Sequence, residues 1–521
     1  MLRIIFVFLL SIQLFSANAQ NSLPGTYLFD SPPTAIFAQM VYHDTIVCIG
    51  TVFKDGDTIS YQQGAFIAFI DSCGNLIRIQ KYFDPQGRDI FLNLTNKLIR
   101  VNDGGYCFVG QVGVEQLFLK TNCYGDFIIA KDYPLILGFD ENDLQTIHEI
   151  QNSLYSIGFG YNVNPDQDDL FMVKFDLDGN LLDSWRFFTP ENCEYFQDAI
   201  VNDGNLVVGV AQSSNCMSGG LQKGKTKIFE VDTSGSVLWE WVDQGSDLRR
   251  GGCAGLTPTA EGGWIYGGSY SDTFYFGNQY ARLFVTKIDS VRNHEWTRII
   301  GYPDNKYNRF SDISIDSEGN YIAVGQYTIG FPDFPSPQPA VCAIVAKFSP
   351  SGEILWTNIA KAFEDSPTVG QVMFTYNVNL LSSGNIIIGG YLFKYIDLVP
   401  QNEGWLAKLS SSGEVLDDPD QFCGVVSVEA VSSTLNDFFC YPNPVVDIVN
   451  FDLGLLGSNL HRVQLIVYDQ RGRIVTQNSL DASSKYIKLD TKNMGEGIYF
   501  YRVECSQNRT LNGKFVVKKF N

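Results

Sequence analysis

Short apolar runs that end in glycine recur along most of the chain, and each follows a polar or glycine-containing turn. These runs end at Gly50, Gly110, Gly158, Gly209, Gly267, Gly325 and Gly389. A second series of strand–turn–strand elements has at its turns Gly74, Gly125, Gly179, Gly235, Arg292, Gly352 and Gly413. Both series span 339 residues in six steps, so they share a mean period of 56.5 residues. The pattern indicates seven interleaved repeats.

A repeat of this length has room for four strands of about five to eight residues with their turns. No repeat shows the sustained ~3.6-residue apolar period of an amphipathic helix. We therefore predict an all-β fold, a seven-bladed β-propeller of four-stranded blades whose apolar faces bury each other. The turn glycines are expected to have positive φ. The alternative, two β-sandwiches in tandem, does not produce a seven-fold period.

Two further residue types keep a fixed distance from the turn. Lysine lies five positions before it at Lys120, Lys174, Lys287, Lys347 and Lys408, and tryptophan four positions after it at Trp239, Trp296 and Trp356. This element resembles the blades of quinoprotein-dehydrogenase-like propellers, from about residue 37 to 420. The resemblance implies the fold alone, because the ligand residues of the active enzymes have no counterpart here. We expect no cofactor.

The first nineteen residues have a pattern typical of a secretory signal peptide. Arg3 precedes an unbroken apolar run from Ile4 to Leu10, and small residues follow at Ala17 and Ala19. We expect cleavage between Ala19 and Gln20; the alternative is a short buried N-terminal helix. No later stretch approaches the ~18 consecutive apolar residues of a membrane-spanning helix, so no transmembrane segment is predicted.

The repeat stops after Gly413, and a different strand rhythm begins near Tyr441. From Tyr441 onward the chain has 11 Lys and Arg against 7 Asp and Glu, whereas the whole chain has a net charge of −20. This break marks a domain boundary. The expected organisation is a signal peptide (1–19), the propeller (20–422), a linker (423–437) and a small C-terminal antiparallel β-sandwich (438–521).

The C-terminal segment carries a recognisable set of residues in order. They are Tyr441, Pro442, Asn443, Pro444, Asp469, Gly472, Gly495, Gly497, Tyr499 and Lys514. In this set the segment resembles the type A C-terminal sorting domain of the type IX secretion system of Bacteroidota. The resemblance implies recognition by that secretion machinery and export, via the periplasm, to the outer cell surface or the medium. The residues alone are also compatible with a fibronectin-like spacer.

Composition and cysteine usage narrow the functional classes. A net charge of −20 repels phosphate backbones, which disfavours nucleic acid as a partner. The eleven cysteines include no CxxC motif, which argues against zinc ribbons and thioredoxin-like sites. Cys193–Cys216 and Cys107–Cys123 are candidate disulfides, and no connectivity is chosen. Cys48 and Cys107 lie in apolar runs, where cysteine behaves as a small buried hydrophobe.

Motifs with chemical potential are better explained by the repeat. Residues 219–226 match a P-loop pattern, but the expected strand at 226–231 stands where a P-loop needs a helix. The segment 176–180 suggests a calcium loop, yet its glycine is at position four, where the repeat predicts a turn. The acidic run 164–169 is a better cation candidate, although such runs are usually only solvated. None of the four histidines is spaced as a metal pair, so no catalytic, cofactor-binding or metal site is assigned.

Two functions remain. The first is a non-enzymatic binding or adhesion protein for an extracellular glycan or protein; the alternative is a polysaccharide hydrolase or lyase with carboxylates in the propeller funnel. Convergence of acidic, tyrosine or arginine side chains from several blades would favour the enzyme. For the first, long loops suggest an aromatic ligand face formed by Tyr270, Phe274, Tyr275, Phe276 and Phe331.

Overall fold

The computed structural model describes most of the chain between residues 26 and 519. The described ranges are 26–28, 34–54, 62–72, 74–92, 97–134, 136–163, 166–187, 193–213, 224–243, 252–270, 274–275, 278–279, 282–301, 308–329, 340–360, 372–396, 399–416, 440–441, 445, 447–452, 463–469, 473–480, 486–505 and 510–519. All regular secondary structure in these ranges is β-strand. The described residues include no helix long and apolar enough to cross a membrane. The predicted all-β class is confirmed.

The described residues up to Leu416 form thirty-one strands. The first eighteen are β1 (Thr26–Leu28), β2 (Thr34–Tyr42), β3 (Thr45–Phe53), β4 (Gln63–Ile70), β5 (Leu76–Tyr82), β6 (Ile90–Phe91), β7 (Ile99–Arg100), β8 (Tyr106–Val112), β9 (Glu115–Thr121), β10 (Phe127–Tyr133), β11 (Glu141–Ile150), β12 (Ser153–Val163), β13 (Asp166–Phe175), β14 (Leu181–Phe187), β15 (Cys193–Asn202), β16 (Asn205–Ser213), β17 (Gly224–Val231) and β18 (Val237–Val242). The others are β19 (Ala254–Pro258), β20 (Trp264–Tyr270), β21 (Phe274–Tyr275), β22 (Asn278–Gln279), β23 (Arg282–Ile288), β24 (His294–Ile300), β25 (Arg309–Ile315), β26 (Tyr321–Ile329), β27 (Ala340–Phe348), β28 (Ile354–Ala360), β29 (Val372–Leu380), β30 (Ile386–Ile396) and β31 (Val399–Leu409).

These strands form antiparallel sheets of the propeller type. Four sheets have four strands each, β2–β5, β11–β14, β15–β18 and β19-β20-β23-β24, and a fifth joins β6 and β7 to β8, β9 and β10. An eight-stranded sheet consists of β25–β28 and of β29–β31 with β1, linked by one parallel bridge. The predicted four-stranded sheets are confirmed, and the count of seven blades stays a prediction.

The two ends of this region meet. Strand β1 pairs with β31, so the N-terminal strand lies at the edge of the last group of strands. One hydrophobic cluster joins Ile36 and Phe66 of the first sheet to Ile387 and Leu406. Burial of apolar side chains between these groups closes the arrangement and removes sheet edges from solvent.

The turn glycines are the places where adjacent sheets lock together. Gly235, Gly352 and Gly413 all have positive φ, as expected. A Cβ added to them would lie 2.4–2.6 Å from the indole rings of Trp185, Trp296 and Trp356, each in the preceding group of strands. Arg292, at the same place in the repeat, keeps a φ of 69°. Its guanidinium lies 4.1 Å from the centre of the Trp239 ring, which is a cation–π contact.

The recurring lysines serve the same contacts. Lys120 donates to Asp103 and, at 2.8 Å, to the carbonyl of Leu177 in the next turn along the chain. Lys408 donates at 2.9 Å to the carbonyl of Ser72, which ties the last strands to the first sheet. Lys347 forms an ion pair with Asp316. These buried ammonium groups therefore satisfy turn carbonyls and carboxylates, a structural role.

The C-terminal region is a small sandwich with its own core. Its strands are β32 (Cys440–Tyr441), β33 (Ile448–Asp452), β34 (Val463–Tyr468), β35 (Ile474–Leu480), β36 (Tyr486–Asp490), β37 (Gly497–Cys505) and β38 (Thr510–Val517). They form two sheets, β32-β33-β36 and β35-β34-β37-β38, as predicted. Phe451, Leu465, Tyr501 and Phe515 are buried in one cluster between them.

The cysteines correct one sequence hypothesis. Cys107 and Cys123 are both free, so the disulfide considered between them is wrong. Cys107 lies opposite Lys120 in the β8–β9 ladder, and its side chain is buried among apolar residues, whereas Cys123 lies in the following turn. Cys193 is disulfide-bonded, and Cys216 lies outside the described residues. Cys48 is a fully buried thiol whose pKa is raised by burial, as expected for a packing residue.

Candidate functional site

The first strand of several sheets carries a β-bulge at the same place. Register shifts lie between Ile36 and Ala38, Leu144 and Thr146, Phe196 and Asp198, Phe310 and Asp312, and Thr375 and Asn377. The glycine series of the apolar runs lies opposite these bulges. At Gly325, for example, an added Cβ would come within 1.9 Å of the Arg309 carbonyl oxygen. The bulges of β2, β15, β25 and β29 re-aim side chains of these four strands toward a common space.

That space is a cavity of about 380 Å³. Its walls include Lys97, Gln197, Asp198, Arg309, Asp312 and Tyr376, which come from four different groups of strands. The volume lies within the range of roughly 300–1,000 Å³ that is typical of small-molecule sites. Acidic, tyrosine and arginine side chains from several groups of strands therefore converge here, which is the arrangement expected of an enzyme, and the hydrogen bonds of these side chains are the next evidence on the two functions.

Asp198 joins three groups of strands. Its Oδ1 lies 2.6 Å from Lys97 Nζ and accepts the N–H of Ala199, and its Oδ2 accepts the N–H of Leu256 at 2.8 Å. The ammonium group of Lys97 also donates to the carbonyl of Ala199 at 2.6 Å. Since both carboxylate oxygens are engaged, Asp198 holds the neighbouring strand in place and neutralises Lys97.

Asp312 occupies the equivalent place after the bulge of β25. Its Oδ1 accepts the N–H of Ile313, and its Oδ2 accepts the N–H of Val378, both at 2.9 Å. Burial, with a contribution from the charge of Asp198, raises the pKa of Asp312 to about 7. At neutral pH this carboxyl group therefore exists in both the neutral and the charged form.

Arg309 is the second cation at the cavity. Its guanidinium donates to Gln197 Oε1 at 3.4 Å, and within the described part of the chain it pairs with no carboxylate. Burial lowers the pKa of Arg309, yet a guanidinium stays charged at neutral pH. The cavity therefore contains a cation that the fold itself does not neutralise.

An aromatic cluster forms one side of the site. The Phe374 ring, which lines the cavity, lies 4.7 Å from the Tyr391 ring and 6.2 Å from the Tyr376 ring. Phe37, the bulge residue of β2, stacks on Tyr376 at 6.1 Å. Burial raises the pKa of both tyrosine hydroxyls, so they are neutral. Such a cluster offers apolar faces beside polar groups, an arrangement that suits sugar rings.

The ligand face suggested by the sequence is described only in part, and its Tyr270 does not line this cavity. Tyr270 is half-buried, packs on a hydrophobic cluster and has the Arg282 guanidinium 5.2 Å from its ring. Phe274 and Tyr275 form the short strand β21, which pairs with β22. The structure describes the backbone of these two residues and not their side chains. Phe276 and Phe331 also lie outside them. The aromatic ligand face stays a prediction.

The motifs considered for phosphate and metal have structural explanations. Gly224–Val231 is strand β17, so the strand expected after the P-loop pattern is confirmed. Asp176 accepts the N–H groups of Asp178 and Asn180, which makes 176–180 a turn. Among the residues that the structure describes, no group of three or more His, Cys, Asp or Glu could hold a metal ion. The run 164–169 lies partly outside them.

The residues proposed for sorting lie in the C-terminal sandwich. Asp469 accepts the N–H of Arg473 at 3.0 Å, and the Tyr499 hydroxyl donates to the carbonyl of Gly495 at 2.9 Å. Gly497 has a φ of 150°, and Lys514 pairs with Phe500 in the ladder. Tyr441 is in β32, whereas Pro442, Asn443, Pro444 and Gly472 lie outside the described residues.

Residues 440–518 match the family described as the secretion system C-terminal sorting domain. The sorting domain of the type IX secretion system predicted from the sequence is therefore present, and its match begins two residues inside the expected domain 438–521. A domain of this family implies an interaction with that secretion system. It indicates that the protein is exported to the cell surface or secreted.

Comparisons of the whole chain give weaker similarities. No curated protein sequence matches it. The polysaccharide lyase Uly1 is 10% identical to this chain, with a TM-score of 0.41. The match covers 72% of this chain and 90% of the lyase. The β-propeller domain of the Trilobed protease from Pyrococcus furiosus is 9% identical, with a TM-score of 0.35. The match covers 77% of this chain and 98% of that domain. An α-L-arabinanase of Penicillium chrysogenum is 12% identical, with a TM-score of 0.35. The match covers 60% of this chain and 92% of that enzyme.

The cavity residues were missed from the sequence, although one signal for them exists. Phe196-Gln197-Asp198-Ala199 and Phe310-Ser311-Asp312-Ile313 share an aromatic residue, one intervening residue, an aspartate and an apolar residue. Both segments precede a glycine-ended run by a similar distance. An aspartate at the same place in two repeats could have indicated a shared inward-facing position.

Proposed function

We propose that this exported protein binds an extracellular glycan in its central cavity and does not catalyse a reaction on it. The observation that carries the proposal is the cavity itself, with Arg309, Asn377 and Phe374 on its walls. Asn377 Oδ1 is buried with no hydrogen-bond partner among the described residues, so it can accept a sugar hydroxyl. An aromatic ring beside such groups can stack on a sugar face.

Binding is favoured over catalysis by what the two aspartates already do. The oxygens of both Asp198 and Asp312 accept backbone N–H groups, and Asp198 is also paired with Lys97. These hydrogen bonds hold each carboxylate against the backbone, whereas a catalytic carboxylate must reach the glycosidic oxygen or the anomeric carbon. These carboxylates support the walls of the site.

A blocked cavity tests this function. In Ser311→Trp the indole would fill the cavity at the bulge of β25, whereas Ser351→Trp adds the same group at an exposed turn. Titration calorimetry against a panel of extracellular polysaccharide fragments should show binding by the wild type and by Ser351→Trp. Ser311→Trp should bind at least about tenfold more weakly at an unchanged melting temperature. Equal affinities for all three proteins would contradict a cavity site.

The second candidate function is a polysaccharide hydrolase or lyase. It is favoured by one observation, the pKa of Asp312, which burial raises to about 7 inside the cavity. A carboxyl group with such a pKa can act as a general acid or base at neutral pH. Release of reducing ends or unsaturated sugars that is lost in Asp312→Asn would favour this candidate over pure binding.

The export part of the proposal assigns a role to each region. A signal peptide (1–19) directs the chain to the periplasm, the propeller (20–422) is the cargo, and residues 438–521 after the linker 423–437 address it to the type IX machinery. Deletion of 438–521 should abolish surface exposure in cell fractionation while the propeller accumulates in the periplasm. Normal exposure of the truncated protein would overturn this assignment.

A further inference from the structure

Arg309 is unusual among the charged groups at the centre of the propeller. A guanidinium has five N–H donors, and the one partner found for it in the described ranges is Gln197 Oε1 at 3.4 Å. That distance exceeds the ~2.7–3.2 Å of a well-formed N–H···O bond. Arg309 is half-buried, and a cation that loses water contacts without gaining an ion-pair partner lowers the stability of a fold.

The other charges at the cavity do not neutralise it. Lys97 is matched by Asp198 at 2.6 Å. Asp312 directs its two oxygens to the N–H groups of Ile313 and Val378 and forms no ion pair with Arg309. The positive charge therefore remains available to whatever enters the cavity.

We infer that the ligand of this cavity is an anionic saccharide whose carboxylate or sulfate group binds Arg309. This inference rests on the glycan-binding function proposed above and names the class of glycan. A guanidinium binds carboxylate and sulfate oxygens with two parallel hydrogen bonds, which are among the strongest in proteins. Phe374 and Asn377, which also line the cavity, are available to the uncharged part of the sugar.

The test compares three trisaccharides of one sugar framework: a galacturonate trisaccharide, a sulfated galactose trisaccharide and the neutral galactose trisaccharide. Calorimetry is performed with the wild type, Arg309→Gln and Arg309→Lys. Arg473→Gln, at an exposed site in the sorting domain, is the control. We expect one anionic sugar to bind the wild type about tenfold or more tightly than the neutral one. Arg309→Gln should lose this preference and Arg309→Lys should keep part of it.

The melting temperature supplies a second readout. Because Arg309 has no ion-pair partner, Arg309→Gln should melt at the same or a higher temperature than the wild type. A large decrease would mean that Arg309 is a structural residue and would overturn the inference. Equal binding of neutral and anionic sugars by all variants would overturn the inference and leave the glycan-binding function standing. Binding of none of the three would overturn the inference, and the panel of polysaccharide fragments described above would then test the glycan-binding function separately.

Discussion

Charged side chains at the turns of the propeller have different surroundings from those at its centre. At the turns, Lys347 Nζ lies 2.8 Å from Asp316, and Lys120 is paired with Asp103. At the centre, Lys97 is paired with Asp198, whereas Arg309 forms no ion pair with a carboxylate of the described residues. The turn lysines therefore stabilise contacts between sheets, whereas Arg309 brings a charge into the interior without a matching group.

This difference separates fold from function on physical grounds. A buried charge is retained at a structural position when its partner and hydrogen bonds offset the cost of desolvation. Where no partner is present, desolvation of the charge lowers the free energy of unfolding. A ligand that supplies the opposite charge then stabilises the fold when it binds. The paired lysines and the unpaired arginine should therefore respond differently to substitution.

The largest effect is expected at Gly325, which fixes the backbone that carries Arg309. In Gly325→Ala the new Cβ would lie 1.9 Å from the Arg309 carbonyl oxygen, so the strands must separate. We expect destabilisation by about 3 kcal/mol and a weaker affinity for the cavity ligand. Chemical denaturation and calorimetry measure the two effects.

The matched control for this substitution is Gly384→Ala. Gly384 has a φ of 81° and no atom within 4 Å of an added Cβ, so only backbone strain of about 1 kcal/mol is expected. A similar loss in both variants would show that the close approach of β25 and β26 contributes nothing.

A smaller effect is expected when a turn lysine is removed. Lys347→Met leaves Asp316 without its ammonium partner and should cost about 2 kcal/mol. Lys174→Met is the control, since Lys174 has the same place in the repeat but lies over the Tyr155 ring. Loss of this cation–π contact should cost about 0.5 kcal/mol. Equal melting temperatures for the two variants would remove the distinction between paired and unpaired lysines.

The Lys347 pair also predicts a pH dependence. Burial opposes ionisation of Asp316, but the hydrogen bonds from Lys347, Asn320 and the Glu318 N–H together outweigh it, so the pKa of Asp316 is lowered in the fold. A lowered carboxyl pKa adds stability above the unfolded value of about 3.9 that is lost as pH falls through the folded value. The advantage of the wild type over Lys347→Met should therefore shrink below about pH 4.

The sequence predicts the turns well because their signals are local. Gly235 and Gly352 have the expected positive φ, and Arg292 takes the same conformation at the glycine position. The lysine five positions before the turn is buried and donates to a carbonyl of a neighbouring turn, as Lys120 and Lys408 do. All these residues act within one repeat or between neighbours, so a fixed spacing reveals them.

The cavity could not be predicted in the same way because its contacts join distant segments. Lys97 and Asp198 come from different sheets, and Asp312 reaches the backbone of Val378. Their side chains face the cavity because bulges shift the register of β15 and β25, and a bulge leaves no clear trace in an apolar pattern. Cys107 and Cys123 show the converse error, since nearness in sequence did not make them partners.

The titration of Asp312 predicts a pH dependence rather than a loss on substitution, and its neighbours Lys97 and Asp198 also carry charge. Burial raises the pKa of Asp312 to about 7, so the folded state favours its protonated form. This contribution is fully present below the unfolded pKa of about 3.9 and is lost as pH rises through 7. The melting temperature of the wild type, relative to that of Asp312→Asn, should decline between about pH 4 and 7. A constant difference across this range would show that Asp312 titrates as it does in the unfolded chain.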